Sequence, residues 1–149
     1  MAYAPVTGGA DHREVAAVDT LSPQDAWLGT GLTFPIQVDG SGRLTTRSGM
    51  ARVRQSIETI LATEPGERVM MPDFGCGLRR FLMAPNTLAV RTSIQAEVSQ
   101  ALTLWEPRIR LTSVQVTPGD QPTLVWIDIS YVRLADLRAD NLVYPFYLR

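Results

Sequence analysis

The sequence predicts an α+β fold in which two main helices pack on an antiparallel β-meander. Three observations support this prediction: two amphipathic stretches on either side of a Gly/Pro-rich loop, two alternating apolar stretches after them, and an apolar C-terminal end. A small N-terminal hairpin and a C-terminal edge strand complete the architecture. The 149 residues, 45% of them hydrophobic, suffice for a single core, and we place the one domain at residues 27–149.

Residues 1–26 are predicted to be a flexible arm, because they contain few large apolar side chains and several turn-forming residues. The domain begins at Trp27. Phe34 to Asp39 alternates apolar and polar side chains, as a half-buried strand does. Asp39 to Gly42 is a turn signal, and Arg43 to Thr46 is the candidate returning strand of a short hairpin.

The first helix is predicted over residues 49–62, with Ser48 as its N-cap. Its apolar residues recur at the spacing of one helical face, and polar residues, Gln55 among them, occupy the other face. The apolar residues are Val53, Ile57, Ile60 and Leu61.

The segment between the two helices is rich in Gly and Pro. A turn is expected at Glu64 to Glu67, and a short strand or extended link at Arg68 to Met71. A structural loop follows, in which glycines permit positive φ, and then a short helical turn at Leu78 to Met83. The loop residues are Pro72, Asp73, Phe74, Gly75 and Gly77.

The longest helix is predicted over residues 87–104, with Asn86 as its N-cap and Pro107 after its end. Its buried face consists of residues three or four apart, and two earlier residues extend the apolar side. The face contains Ile94, Val98, Ala101, Leu102 and Trp105, extended by Leu88 and Val90.

Two strands should follow. Ile109 to Val116 alternates in one register and then in the other, which a β-bulge near Thr112-Ser113 would reconcile. Thr123 to Leu134 alternates throughout and is predicted to be a long strand. Leu137 to Asn141 is expected to be a polar connection to the C-terminal stretch.

The C-terminal stretch, Asn141 to Arg149, has the composition of a strand although it ends the chain. Pro145 lies in its middle and cannot donate a ladder hydrogen bond, so the strand belongs at the edge of a sheet. An open apolar edge strand tends to pair with another chain. Either the domain covers this edge or a partner protein pairs with it.

The charge balance and the scarcity of cysteine and histidine exclude several functions. With 14 basic residues, all of them arginine, against 15 acidic ones, nothing favours binding to nucleic acid or to an anionic membrane. A lone Cys76 forms no internal disulfide and fits a reducing cytoplasm, and a lone His12 cannot build a histidine zinc site. We find no phosphate-binding, dinucleotide-binding or metal motif, so no cofactor is expected. The sequence contains no membrane-spanning run and no secretory signal.

Catalytic candidates are few. Cys76 has no nearby histidine, and its simplest interpretation is a small buried or loop residue. A pair of carboxylates could hydrolyse a glycosidic bond, although no aromatic and polar cleft accompanies them. A glycosidase therefore stands as the alternative function, with the following candidates: Glu64, Glu67, Asp73 and Glu106.

The tripeptide Glu106-Pro107-Arg108 has two interpretations. It can end the preceding helix and form a surface ion pair worth ~0–1 kcal/mol. Alternatively, it can present one carboxylate and one guanidinium to a partner on a rigid corner.

Together these residues resemble a known family: the lysozyme-related baseplate wedge protein of contractile phage tails, also called the sheath initiator. It has relatives in type VI secretion baseplates and extracellular contractile injection systems. The matching pieces are Phe34-Pro35, Arg54-Gln55-Ser56-Ile57, the run from Pro65 to Leu78, Phe81-Leu82, Pro85-Asn86, Glu106-Pro107-Arg108, and Asn141 to Leu148.

The resemblance implies a structural protein rather than an enzyme. In the family, the C-terminal strand joins strands of the tail-sheath subunit and so starts the sheath, and the Glu-Pro-Arg corner docks on the core bundle of the wedge. Six copies in a ring, with further contacts to baseplate proteins near the tube and spike, are expected, and so is assembly in the bacterial cytoplasm. Met71 departs from the basic residue expected at its position. The corner would be Glu106, Pro107 and Arg108, and the sheath-binding strand Leu142, Val143, Tyr144, Pro145, Phe146, Tyr147 and Leu148.

Three functional classes stay open at this point: the assembly protein, the glycosidase, and a scaffold that associates with itself through its C-terminal strand. The sequence does not distinguish a phage tail from a type VI system or another injection device.

Overall fold

The computed structural model describes residues 28–148 and confirms the α+β prediction. Two helices pack against a three-stranded antiparallel sheet, and a two-stranded hairpin precedes the first helix. The expected arm at 1–26 and the domain start at Trp27 lie outside the described residues. The elements are β1 (Thr30–Leu32), β2 (Thr46–Ser48), α1 (Gly49–Ala62), a 3-10 helix (Leu78–Phe81), α2 (Leu88–Trp105), β3 (Ile109–Pro118), β4 (Leu124–Arg133) and β5 (Ala139–Tyr147).

The N-terminal hairpin is present, but its strands are β1 and β2 rather than the run at 34–39. The strand predicted for 34–39 is wrong. That run makes only one isolated bridge, between Val38 and Leu44, and it carries Phe34 and Ile36, which are 73% and 65% exposed. Alternating apolar residues become a strand only where a second layer covers them, and none of the described residues covers this loop.

Helix α1 has the predicted bounds, and Ser48 occupies its N-cap position without making a capping hydrogen bond to the helix. The predicted apolar face is fully buried. Gln55, assigned to the polar face, is also buried, and its side-chain amide donates to the Leu32 carbonyl over 2.9 Å. This hydrogen bond satisfies the amide nitrogen of Gln55 and joins the helix to β1, whereas Gln55 Oε1 has no hydrogen-bond partner within residues 28–148.

The loop after α1 begins with the expected turn, but the strand or extended link predicted for residues 68–71 is wrong. The chain turns twice here, because the Gly66 N–H donates to the Pro72 carbonyl over 2.6 Å and closes the loop on itself. Val69 and Met70 form its tip and are 94% and 89% exposed.

One glycine of this loop is required by its backbone conformation. Gly75 has φ of 124°, and a Cβ there would lie 2.2 Å from the Thr63 carbonyl oxygen. The close approach allows the neighbouring Cys76 N–H to donate to the same carbonyl. Gly77, by contrast, has a negative φ of −75° and needs no such freedom.

Helix α2 begins one residue later than predicted, because Thr87 rather than Asn86 is its N-cap. The Thr87 hydroxyl accepts a hydrogen bond from the Val90 N–H, whereas the Asn86 side chain donates to the Pro122 carbonyl. Leu88 is exposed and not part of the apolar face. The buried face otherwise matches the prediction, with Ile94, Val98, Ala101 and Leu102 in the core and Trp105 packed against it.

The sheet has the strand order β3-β4-β5. Its register shifts between Leu111 and Ser113, so the predicted bulge is confirmed, with Thr112 as the extra residue. Strand β5 begins at Ala139, two residues inside the stretch expected to be a polar connection. The inner face of β4 supplies the centre of the core through Val125, Ile127, Ile129 and Tyr131.

Candidate functional site: a half-open sheet edge

Strand β5 lies at the edge of the sheet, as Pro145 predicts. It pairs with β4 from Ala139 to Tyr147, and no other strand of residues 28–148 lies on its outer side. Its inner side chains and the residue after it belong to the fold. Leu142, Tyr144 and Phe146 pack on the core and Leu148 is buried, whereas Val143, Pro145 and Tyr147 are exposed.

The register shows which backbone groups of β5 point outward. The Leu148 N–H donates to the Thr123 carbonyl over 2.7 Å, in line with the ladder that pairs Leu124 with Tyr147. Hydrogen-bonded pairs alternate in an antiparallel ladder, so Val143, Pro145 and Tyr147 turn their backbone groups away from β4. The missing N–H of Pro145 therefore interrupts the free edge and costs no hydrogen bond inside the sheet.

The N-terminal end of this edge is closed by an ion pair. Arg54 of α1 donates from Nη2 to Asp140 Oδ1 over 2.8 Å and, over 3.5 Å, to the Asn141 carbonyl. The Asn141 N–H donates to the same carboxylate over 2.9 Å. Both outward backbone groups of Asn141 are thus occupied, while those of Val143 and Tyr147 have no partner among residues 28–148.

Burial and hydrogen bonding both act on this cluster. Burial acts to raise the pKa of Asp140, but the Arg54 guanidinium, the Asn141 N–H and the Tyr131 hydroxyl outweigh it and hold the pKa below its ordinary value. Burial, together with the charge of Asp140, raises the pKa of Tyr131 to about 12. The phenol therefore stays a neutral donor and the carboxylate stays charged, which keeps the closure intact at neutral pH.

An apolar groove runs beside the open part of the edge. It has a volume of about 540 Å³ and lies between α1, Phe34 and β5. Thr59 and Ala62 form part of its helical wall, and Val143, Tyr144 and Pro145 form the strand wall. The groove and the unpaired backbone groups therefore occupy the same stretch of β5.

The Glu106-Pro107-Arg108 corner is built differently from a free surface pair. Glu106 is 1% exposed, and both of its carboxylate oxygens accept hydrogen bonds of 2.6 Å from Arg108. The same guanidinium donates to the Leu28 carbonyl over 2.6 Å. The pair anchors the start of the described chain to the turn before β3, and Pro107 is the exposed member of the corner.

Burial acts to raise the pKa of Glu106, but hydrogen bonds from Arg108 and Ser56 outweigh it, so the pKa lies below its ordinary value. Glu106 thus stays ionised inside the protein. Any partner reaching this corner meets Pro107 and the partly exposed Arg108, while Glu106 holds Arg108 in position.

Two of the carboxylates considered for catalysis, Glu64 and Glu67, are neighbours, because Glu67 Oε2 accepts a hydrogen bond from the Glu64 N–H over 3.1 Å. The Glu64 side chain accepts from the Arg79 N–H over 2.7 Å, Glu67 pairs with the Arg79 side chain over 2.8 Å, and Glu106 is enclosed elsewhere. Asp73 is exposed on its loop. Within residues 28–148 no group of acidic, His or Cys side chains could hold a metal ion.

Cys76 is buried, and its burial, with Glu97 and Glu64 nearby, raises the pKa of its thiol to about 12. The thiol is therefore protonated at neutral pH and packs as a small core residue, as the sequence suggests.

The structural loop packs against the C-terminal end of α2. The Phe74 ring packs against Trp105 with centroids 5.2 Å apart, and the Arg68 guanidinium lies 3.7 Å from the centre of the Phe74 ring. These contacts fix the loop and leave Val69 and Met70 on its outer side.

No helix of the described residues is long and apolar enough to cross a membrane.

The sequence-predicted sites lie apart: the sheath-binding strand on the β5 edge, the Glu106 corner before β3, and the structural loop between the helices. Sequence reasoning missed three residues of the edge, namely Phe34, Arg54 and Asp140. Of the three, Phe34 alone carries a signal: it is a large aromatic residue that the structure leaves 73% exposed, which is typical of a binding surface.

The fold and this edge define a class: a small α+β module whose prominent surface feature is a half-open sheet edge beside an apolar groove. The family described as baseplate wedge protein gp25 matches residues 47–137, and the chain belongs to that family. It is a baseplate wedge component of contractile tail systems.

The similarity extends to individual proteins. The chain is 38% identical to baseplate protein W of Escherichia phage P2 over 69 residues, which are 46% of this chain and 60% of the phage protein. The match thus spans less than two thirds of that relative's length.

Two solved structures share the fold. A protein from Geobacter sulfurreducens that carries the provisional name of tail lysozyme is 43% identical, with a TM-score of 0.62 over 66% of this chain and 90% of that one. A chain of the baseplate of the anti-feeding prophage, reconstructed with sixfold symmetry, has a TM-score of 0.62 over 85% of this chain and 90% of that one. At 24% identity, this second match shows the fold alone.

Proposed function

We propose that this wedge component initiates the sheath by pairing the open edge of β5 with an extended segment of the tail-sheath subunit. The observation that carries the proposal is the state of Val143 and Tyr147, whose outward backbone groups have no partner among residues 28–148. Unpaired strand edges are where proteins add a foreign strand, because each backbone hydrogen bond formed contributes ~0.5–1.5 kcal/mol.

The edge fits a joint that must hold under load. The inner side chains of β5 are packed on the core, and Leu148 is buried beyond the strand, so a pulling force on a paired segment is transmitted to the whole domain. A ladder also distributes the force over several hydrogen bonds.

Docking on the helical core bundle of the wedge is assigned to the corner at Pro107 and Arg108. Pro107 fixes the chain direction, and Glu106 immobilises the guanidinium with two hydrogen bonds. The domain would then be held in six copies around the tube, with β5 facing the first sheath ring and further contacts to baseplate proteins near the tube and spike.

The proposed role is structural rather than enzymatic. Glu64 and Glu67 are both engaged with Arg79, and the buried Glu106 is engaged with Arg108 and shares no hydrogen-bond partner with them. The name of the Geobacter relative keeps cell-wall hydrolysis as the second candidate. The purified chain should leave a peptidoglycan suspension turbid; clearing that is lost in Glu64→Gln or Glu67→Gln would establish the glycosidase instead.

The sheath proposal is tested with two substitutions at one position. Val143→Pro removes an outward N–H without removing a hydrogen bond to β4, while Val143→Thr keeps the N–H and the β-branched shape. Removing residues 141–149 would be less informative, because Leu142, Tyr144, Phe146 and Leu148 belong to the core.

Baseplates carrying Val143→Pro should assemble without sheaths, and those carrying Val143→Thr should have sheaths, as counted by electron microscopy. Both variants should melt within a few degrees of the parent chain. Full-length sheaths on Val143→Pro baseplates would rule out pairing at this edge.

A further inference from the structure

The groove beside β5 can add side-chain specificity to the backbone pairing proposed for the open edge. A strand added to Val143–Tyr147 would lie beside the groove that α1 and Phe34 form with β5. The free edge alone recognises any backbone, because backbone groups are the same in every protein. Side chains that project into a groove give such pairing its specificity.

The register fixes which side chains of an added strand would enter the groove. Tyr144 turns its side chain towards the helices, and neighbouring strands place directly opposite residues on the same face of the sheet. The residue beside Tyr144 therefore projects towards Thr59 and Ala62, in either direction of the added strand. Phe34 closes the groove from the other side.

The chemistry of the walls specifies the occupant. Ala62 and Phe34 are apolar, and the Thr59 hydroxyl is engaged with the Gln55 carbonyl over 2.7 Å, so the side chain beside Tyr144 should be apolar. Among the described residues that line the groove, Glu58 alone carries a charge, and it has no ion-pair partner within residues 28–148. A basic side chain on the occupant would complement it.

Two further features limit how the occupant can align. The Arg54–Asp140 pair occupies the outward groups of Asn141, so pairing cannot extend past that residue. Pro145 supplies an acceptor but no donor, which leaves one carbonyl of the occupant unpaired at that point. The open stretch is about five residues, or roughly 14–17 Å of strand.

We infer that the groove between α1, Phe34 and β5 selects the segment that pairs with β5. This segment is an extended stretch of a partner polypeptide carrying an apolar side chain beside Tyr144 and a basic side chain near Glu58. The inference rests on the proposed pairing of β5 with the sheath subunit and adds the residues that would discriminate among segments. Arg54 and Asp140 set its register by ending the ladder at Asn141.

The test measures the dissociation constant of the complex between the full-length chain and the sheath subunit encoded with it. Ala62→Trp adds a large side chain to the α1 wall of the groove and leaves the residues of β5 unchanged, and Ala96→Trp makes the same change at an exposed position of α2. We expect Ala62→Trp to weaken binding by about ten-fold or more and Ala96→Trp to leave it unchanged.

Phe34→Ala is the second variant, because a side chain that is 73% exposed can be removed without endangering the fold. It should weaken binding by roughly three-fold. Glu58→Gln should weaken binding slightly and reduce its dependence on salt, as the loss of an exposed charge pair does.

Val143→Pro separates the two proposals. If Val143→Pro abolishes binding while Ala62→Trp and Phe34→Ala leave it unchanged, pairing at the edge stands and the selecting groove is wrong. If Val143→Pro binds as well as the parent chain, the proposed function fails and the groove inference fails with it.

Other occupants give distinct results in amide hydrogen exchange of the full-length chain alone. Rapid exchange at Val143 and Tyr147, slowed only when the sheath subunit is added, is the expected result. Protection in the chain alone at low concentration would place residues 1–27 in the groove. Protection that grows with concentration would place a second copy there. Either of these results would overturn the inference.

Discussion

The two outer strands of the sheet, β3 and β5, leave their free edges in different states. Strand β3 carries a bulge at Thr112 in the middle of its length and exposes mainly polar side chains, such as Arg110 and Gln115. Strand β5 pairs without interruption from Ala139 to Tyr147 and exposes apolar and aromatic side chains. Bulges and charges on edges prevent strand addition. Of the two edges, only that of β3 has the bulge and the charged side chain that oppose strand addition.

The two strands also begin at different kinds of ion pair. In the Glu106–Arg108 pair before β3 the carboxylate is buried and the arginine side chain is 23% exposed, whereas in the Arg54–Asp140 pair at the start of β5 the arginine side chain is 45% exposed. The first pair belongs to the stability of the domain, and the second belongs to the boundary of the open edge.

The largest expected effect is therefore the difference in unfolding free energy between variants that remove one ion pair or the other. Arg108→Ala leaves Glu106 charged, buried and without its main partner, and should cost about 3–5 kcal/mol of unfolding free energy. Arg54→Ala, at the exposed pair, should cost about 1 kcal/mol or less. Urea unfolding monitored by tryptophan fluorescence measures both. Equal costs would mean that the two pairs do not differ as their burial indicates.

The stability that is lost in acid should also be larger for the Glu106–Arg108 pair than for the Arg54–Asp140 pair. Both Glu106 and Asp140 have folded-state pKa values below the ordinary value, so their stabilisation is complete above the unfolded pKa of about 4. It is lost as the pH falls through the lower, folded values. Unfolding free energies between pH 7 and pH 2.5 should fall below about pH 4 in the parent chain.

Glu106→Gln and Asp140→Asn are the matched variants for this titration, since neither side chain can ionise. Each should be less stable than the parent chain at neutral pH and lose less stability in acid, with the larger change for Glu106→Gln. If both variants lose as much unfolding free energy below about pH 4 as the parent chain does, the pH dependence comes from other carboxylates.

The smallest expected effect on stability comes from removing the bulge of β3. Deleting Thr112 would place Ile109, Leu111, Val114 and Val116 in one continuous alternation, so the core face is preserved. The edge would then be as regular as that of β5, and the chain should associate with itself at high concentration. Thr112→Ser, which keeps the bulge, is the control. Sedimentation that shows only monomer for the deletion would mean that the bulge does not protect this edge.

Much of the fold was predictable because local rules and burial agree. The apolar spacing of α1, the register change that requires a bulge near Thr112, and the edge position implied by Pro145 were all inferred from sequence and are present in the structure. In each case one residue pattern admits only one arrangement: a helical face, a change of strand face, or a missing donor.

The errors arose where the same pattern admits two outcomes. Phe34 to Asp39 alternates like a strand but lies on the surface, because no described element covers it. Gln55 was assigned to the polar face because of its side chain, yet it is buried and its amide nitrogen donates to the Leu32 carbonyl. Thr87 rather than Asn86 caps α2, since the Asn86 side-chain oxygen accepts a hydrogen bond from Arg91 over 2.7 Å.

The sequence by itself determined the class of fold, the edge position of the last strand and the membership of a baseplate family. The fold class and the edge position depend on patterns that are local in the chain, such as helical spacing, strand alternation and the missing N–H of Pro145, and the family follows from the set of motifs that resemble it. The tertiary structure alone decided which part of that edge is open. The closure at Asn141 comes from Arg54, distant in sequence, and the groove comes from Phe34 and α1. Contacts between remote segments depend on how the elements pack, and no local pattern encodes that packing.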